Sequence, residues 1–382
     1  MNTINYGRQT VDESDIKAVL DTLTSDYLTQ GPQVSLFEQS ISKACSSQHA
    51  IAFNSATSAL HCACLALGLK PGDTLWTTPI TFVASANCAR YCGAEVDFVD
   101  IDPDTYNLCP SALLKKIQEA EKKGCLPKII VVVHLCGQPC DMKKISKIAT
   151  AYNIKVIEDA SHALGARYQN HPIGDCKYSD ITIFSFHPVK IITSAEGGMA
   201  TTNQLELAKK MRLAASHGIT RSSEEMISKH EEPWFYEQIS LGYNYRMSDI
   251  HAALGNSQLK RLCSFINERQ RIADTYNTEL NTLPIKLPLI KPDCLSAYHL
   301  YVIRVDKQTR MALYEHLKSN GVITNVHYIP VHLQPYYKNL GFKEGDYPNA
   351  EKYYEEALTL PIYPSLTKEQ QNTVIQLLKQ VL

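Results

Sequence analysis

No apolar run in this 382-residue chain approaches the roughly 18 residues that a membrane-spanning helix needs. The opening stretch MNTINYGRQTVDESD is polar and lacks the hydrophobic segment of a secretory signal, so a soluble, cytoplasmic protein is expected. Neither charge sign is in excess. Lys and Arg total 38 against 39 Asp and Glu, which removes the basic surplus of a nucleic-acid or anionic-membrane binder. The twelve cysteines include no C-x-x-C pair. His134, Cys136 and Cys140 lie close together, but no second pair completes a four-ligand zinc site, so no metal is expected. The thiols read instead as small buried side chains in a reducing compartment. Neither G-x-G-x-x-G nor G-x-x-x-x-G-K occurs, which excludes the usual dinucleotide and mononucleotide loops.

With 44 % hydrophobic residues, the chain is long enough for a large α/β domain plus a smaller one. Between about 49 and 203, short apolar runs alternate with helical stretches. HAIAFNS, DTLWTTP, EVDFVDID, KIIVVVHL, KVIEDA, DITIFSFH and GMATTN are the strand candidates. Their β-branched, continuously apolar character suits a mostly parallel sheet covered on both faces. Ligands of such a sheet sit beyond the carboxyl ends of its strands. The large domain is placed at 31–247 and a smaller C-terminal α/β domain at 248–382. The second opens on a long proline-free helical stretch from Ser248, its expected N-cap. YHLYVIRV and VITNVHYI are its strand candidates, TKEQQNTVIQLLKQVL its terminal helix, and 221–240 reads as an irregular loop.

One lysine stands out. In SFHPVKIITSAEGG, Lys190 sits among Val189, Ile191 and Ile192, where its charge is costly to desolvate. A lysine snorkelling from an apolar segment is the plain alternative. Four features favour chemistry. Asp159 ends a strand candidate, although a turn aspartate is common there. NSATSAL passes from strand to helix, so the amides of Ala56 and Thr57 and the Thr57 hydroxyl offer an anion site, or an ordinary cap. Ser185 precedes the lysine by five positions and can offer a hydroxyl to the same anion. Gly197-Gly198 lets the chain turn after it. An anion site, a lysine amine and a strand-end carboxylate together describe pyridoxal 5'-phosphate. The lysine bonds the aldehyde, the carboxylate pairs with the ring nitrogen, and pyridoxamine phosphate is the aminated form.

The motifs LTQGPQVSLFE, FNSATSAL, VIEDASHALGARY, FSFHPVKIITSAEGGMATTN, GYNYRMSDIHAALGNSQL and VHYIPVHLQPYY span almost the whole chain. As a set they resemble the vitamin B6-dependent sugar-nucleotide aminotransferases of the DegT/StrS type, which have the fold type I (aspartate aminotransferase-like) architecture. INYGRQTVDESDI, FNSATSAL and DASHALGA are most similar to members of the pseudaminic acid pathway. Those members use L-glutamate to aminate UDP-2-acetamido-2,6-dideoxy-β-L-arabino-hex-4-ulose. The resemblance implies that Lys190 is catalytic and that Asp159 partners the pyridine nitrogen. Phe82 would lie on the ring, and His162, where many relatives carry glutamine, would contact the ring oxygen or orient the ring. Ala56, Thr57 and Ser185 would hold the phosphate, with Asn244 reaching in from the second subunit of a homodimer. Residues 1–30 would be an arm contributing to the substrate site. Substrate contacts would come from Tyr6, Asp26, Tyr27, Leu28, Thr29, Val326, His327, Tyr328 and Ile329. Arg246 would bind the diphosphate or the donor carboxylate, or else form an interface salt bridge. His187 and His217 are further candidates for the cleft or for structural roles. One departure concerns the turn after the lysine, where relatives commonly read Gly-Glu-Gly-Gly and this chain has Ala195.

Two other functions are compatible with such a fold. B6-dependent sugar dehydratases of this type replace the lysine with histidine, and Lys190 argues against that reaction. A cofactor-binding regulator would need a DNA-binding segment, and neither a helix-turn-helix nor a basic excess is seen.

Overall fold

The computed structural model describes residues 3–228 and 232–382. All seven strand candidates of the large domain form strands: β1 His49–Phe53, β2 Thr74–Thr77, β3 Glu95–Phe98, β4 Ile129–Val133, β5 Lys155–Asp159, β6 Ile181–Ser185 and β7 Gly198–Thr202. They make one sheet in the order β1-β7-β6-β5-β4-β2-β3. Pairing is parallel except around β7, which runs antiparallel to both β1 and β6.

Helices cover both faces, which explains why these strands lack polar alternation. In β4, Ile129 and Val131 belong to one core, while Ile130 and Val132 belong to the other. The first core is closed by α3 (Ala56–Ala66), α4 (Ala84–Tyr91) and α7 (Leu205–Ala215). The second is closed by α2 (Pro32–Cys45), α5 (Pro110–Lys123) and α6 (Met142–Ala151). Ahead of these, α1 (Glu13–Leu23) starts at a capping box between Asp12 and Asp15.

The long helical stretch after Arg246 is two helices, α8 (Asp249–Leu259) and α9 (Leu262–Leu280), separated at Lys260-Arg261. Ser248 does cap α8, accepting from the His251 amide. Helix α8 packs on α1 and α2. A third core joins Ile4 to residues from Ile272 of α9 onwards, with α10 (Lys307–Ser319), α11 (Pro348–Glu356), α12 (Lys368–Val381) and the antiparallel pair β8 (Tyr301–Arg304) and β9 (Ala357–Leu360) around it.

VITNVHYI is not a strand. Its backbone bonds are single bridges on either side, from Ile323 N to Ile4 O at 2.8 Å and from Thr359 N to Asn325 O at 2.7 Å. No ladder forms, and the segment is left free to line a cavity. The stretch 221–240 contributes only the two-residue strand Glu237–Gln238, paired with Ile219–Thr220; its residues 229–231 lie outside the described residues. Among the described residues no helix is long and apolar enough to cross a membrane.

Candidate active site

The parallel strands deliver Val133, Asp159 and Ser185 to one edge of the sheet, and β1 delivers Ser55 and α3 to the same edge. There they border a cavity of about 430 Å³. The cavity opens where a ligand of an open α/β sheet is expected.

The α3 end is an anion site by construction. Ser55 is the N-cap, and its hydroxyl accepts the Ser58 amide at 3.1 Å. The amides of Ala56 and Thr57, in the first turn, have no partner within the helix. Gly198 fixes the approach of β7. A Cβ there would lie 2.4 Å from the Ser55 carbonyl carbon and 2.5 Å from the Ala56 nitrogen. Only glycine lets the strand run this close beneath the helix end.

Asp159 is buried and held by two elements. Ser85 Oγ donates to its Oδ2 at 2.6 Å, and Ser161 donates to Oδ1 through its amide at 3.1 Å and its hydroxyl at 2.6 Å. A carboxylate has about four lone-pair sites, so one is left for a donor in the cavity. Ser161 is visible from sequence as an Asp-x-Ser turn. Ser85 is not, since 74 positions separate it from Asp159.

Lys190 lies on a turn whose backbone closes from its own amide to His187 O at 2.9 Å. Ile191 and Ile192 anchor that turn in the second core. Among the described residues its Nζ makes no hydrogen bond or ion pair. Burial brings the amine down to about 8, with Asp159 pulling it partly back. At pH 7 about a tenth of such amines are neutral, a few hundred times more than for an unperturbed lysine. Uptake of pyridoxal phosphate by cofactor-free protein should therefore quicken as pH rises and level off above pH 8. Stopped-flow absorbance from pH 6 to 9.5 checks this, and a rate still climbing at pH 9.5 would mean an ordinary lysine.

After the lysine, Ala195 adopts φ +64°, the left-handed conformation that favours glycine, at a cost of about 1 kcal/mol.

Of the other expected residues, Tyr6, Phe82, His162, Val326, His327 and Tyr328 line the cavity, as does His187. Phe82 is 59 % exposed, its ring 6.3 Å from that of Tyr328. His327 is lowered to about 4 by burial and by Lys190, and its Nδ1 lies 2.9 Å from Thr359 Oγ1. Several expected residues are elsewhere. Asp26, Tyr27, Leu28, Thr29, Asn244, Arg246 and Ile329 do not line this chain's cavity. The Leu28 carbonyl and Thr29 instead tie the chain to the start of α8, through Asp249 N to Leu28 O at 3.0 Å and a bridge from Thr29 to Ser248. Asn244 is exposed, and among the described residues the buried Nε of Arg246 has no partner. His217 lies outside the cavity too, with its amide on Tyr243 O. Glu196, His299 and Asn325 line the cavity as well.

His134 has no capacity left for a metal. Its Nδ1 accepts the Cys140 amide at 3.1 Å and its Nε2 lies 2.7 Å from Glu158 Oε2.

Unpartnered amides for a phosphate, an uncompensated amine for an aldehyde and a spare carboxylate lone pair for a ring nitrogen fit pyridoxal phosphate, and the class is that of pyridoxal-phosphate-dependent aminotransferases of fold type I. The chain belongs to the DegT/DnrJ/EryC1/StrS aminotransferase family, whose model matches residues 9–379. It is 38 % identical to the spore coat polysaccharide biosynthesis protein SpsC of Bacillus subtilis, over 98 % of this chain and 96 % of that one. It is 37 % identical to the UDP-4-amino-4,6-dideoxy-N-acetyl-β-L-altrosamine transaminase of Campylobacter jejuni, over 99 % and 98 %. Among solved structures, Helicobacter pylori PseC, an aminotransferase of pseudaminic acid biosynthesis, superposes with a TM-score of 0.91 at 32 % identity, covering 100 % of this chain and 99 % of that one. The PLP form of the putative sugar aminotransferase Spr1654 from Streptococcus pneumoniae gives 0.90 at 31 %, covering all of both chains.

Proposed function

We propose that this protein transfers the amino group of L-glutamate to C-4 of a UDP-linked 4-keto-6-deoxy sugar. The acceptor is UDP-2-acetamido-2,6-dideoxy-β-L-arabino-hex-4-ulose, and the product is UDP-4-amino-4,6-dideoxy-N-acetyl-β-L-altrosamine. The observation that carries the chemistry is the unpaired amine of Lys190 in the cavity that Asp159 borders. The sugar rests on likeness to the Campylobacter jejuni and Helicobacter pylori proteins. Transaminases for other UDP- or dTDP-4-keto-6-deoxy sugars are the competing reading, because SpsC is as similar to this chain.

Pyridoxal phosphate, when bound, supplies an electrophilic aldehyde carbon and an electron-withdrawing ring. The chain supplies the rest. Ala56, Thr57 and Ser185 would hold the phosphate, Asp159 would pair with the ring nitrogen, and Phe82 would lie against the ring. Lys190 Nζ would be the group that bonds the aldehyde in the resting protein. As a free amine near neutrality, it would take and return the proton that moves at the substrate carbon. Tyr6, Val326, His327 and Tyr328 border the space left for the sugar.

A homodimer completes this reading. Asn244 and Arg246 lie outside their own cavity, and Trp234 (75 % exposed) and Leu241 (79 %) leave apolar surface uncovered nearby in sequence. In such a dimer Asn244 would be the residue that reaches the partner's phosphate.

Incubation of purified protein with glutamate and a panel of 4-keto sugar nucleotides, read by mass spectrometry, tests the assignment. Gain of an amine on the arabino-hexulose substrate, in preference to its dTDP and C-5 epimeric counterparts, is expected. Loss of water instead would mean a dehydratase, and amine gain only on another sugar would replace the substrate.

A further inference from the structure

Arg269, on α9, carries a buried charge with no anion to answer it. The side chain is 1 % exposed, and its Nη1 faces three carbonyls, those of Tyr298 at 3.1 Å, His299 at 3.3 Å and Ile362 at 3.0 Å. Among the described residues its enclosed Nε finds no acceptor at all. Burial brings the guanidinium down to about 9, and no carboxylate pulls it back.

Arg269 lines a second, much smaller pocket of about 10 Å³. Lys190 lines it too, and Arg8 stands exposed at its rim, so three cations and no carboxylate border one space. The other polar groups on its walls are engaged. Thr193 Oγ1 donates to Phe186 O at 3.0 Å and accepts the Ala195 amide at 2.9 Å. Gln258 Nε2 donates to Thr10 O at 2.8 Å and to Asp15 Oδ2 at 2.6 Å. Asp15 lies outside the lining and is already paired with Arg261. Cations gathered in a low dielectric repel one another, and a buried charge without a partner is costly. One anion between them would offset both effects. The volume takes a single particle of about the size of a water molecule, which rules out phosphate and carboxylates.

We infer that this pocket is a binding site for one monatomic anion of the halide class, chloride among biological ions, held by Arg269 and Arg8 against the far side of Lys190. Lys190 is the wall between the two cavities, since it lines both. On the larger side it faces Asp159, together with His162, His299 and His327, which burial keeps neutral. A chloride on the smaller side adds a second negative charge and favours the protonated nitrogen. The anion thus acts on the lysine from behind, without touching substrate.

The test uses cofactor-loaded protein, because a free phosphate site would itself attract anions. Crystals grown with bromide in place of chloride are expected to show an anomalous peak in contact with the Arg269 guanidinium. Density there without anomalous signal means water and overturns the inference, whatever sugar the protein acts on. In solution, the visible absorbance that follows the proton on the Lys190 nitrogen is titrated with pH in chloride and in gluconate at equal ionic strength. The midpoint is expected to stand about half a unit higher in saturating chloride, about a threefold change in proton affinity. Arg269 ties three carbonyls together, so its removal could unfold the chain, whereas Arg8→Gln leaves those bonds in place. That variant should need roughly tenfold more chloride for the same shift. A midpoint identical in the two salts, or a chloride dependence that Arg8→Gln leaves unaltered, would overturn the inference.

Discussion

Lys190→Ala is expected to lower amine transfer by at least about 10⁴-fold, because one side chain would both bond the cofactor and move the proton. The loss should be chemical, not structural. Lys190 is half-buried and its Nζ has no partner among the described residues, so truncation breaks no hydrogen bond. Ile191 and Ile192, which anchor the turn, are untouched. The melting temperature should stay level or rise, since a desolvated amine is removed. The variant should still take up pyridoxal phosphate without covalent attachment, giving the spectrum of the free aldehyde. Turnover within tenfold of wild type would mean that another group does this chemistry.

Asp159→Asn is the second large effect, a loss of about 10²- to 10³-fold. The substitution keeps the volume and the position, but replaces a carboxylate oxygen by an NH₂ group that cannot accept the proton of a ring nitrogen. The hydroxyls of Ser85 and Ser161 can rotate to suit an amide, so the fold should survive. Melting temperature and cofactor content separate the two outcomes. A folded, cofactor-loaded variant of low turnover is expected, and unchanged turnover would remove Asp159 from the mechanism.

The sheet was legible in the chain because each of its strands is a short continuous apolar run bounded by turn residues. Burial on both faces writes that signal locally, as in IIVVV of β4. Asp159 was legible because it ends an apolar strand, and Lys190 because it is a lone charge among Val189, Ile191 and Ile192. Less visible was whatever depends on a distant partner. Lys260-Arg261 carries no proline or glycine, and the break there places Arg261 against Asp12 and Asp15 from the far end of the chain. VITNVHYI has strand composition, yet its neighbours offer one bridge each and no ladder. Ser85 and His299 enter the site through tertiary packing alone. The stretch 26–29 is fixed to the start of α8, so any part it plays at a substrate lies beyond its own chain's cavity.

The most direct measurement is borohydride reduction of the cofactor-loaded protein followed by peptide mass spectrometry. The expected result is one reduced phosphopyridoxyl group per chain, carried by Lys190 and absent when glutamate has first converted the cofactor to its amine form. A label on any other lysine, or no label at all on a protein that holds the cofactor, would contradict the assignment of this site.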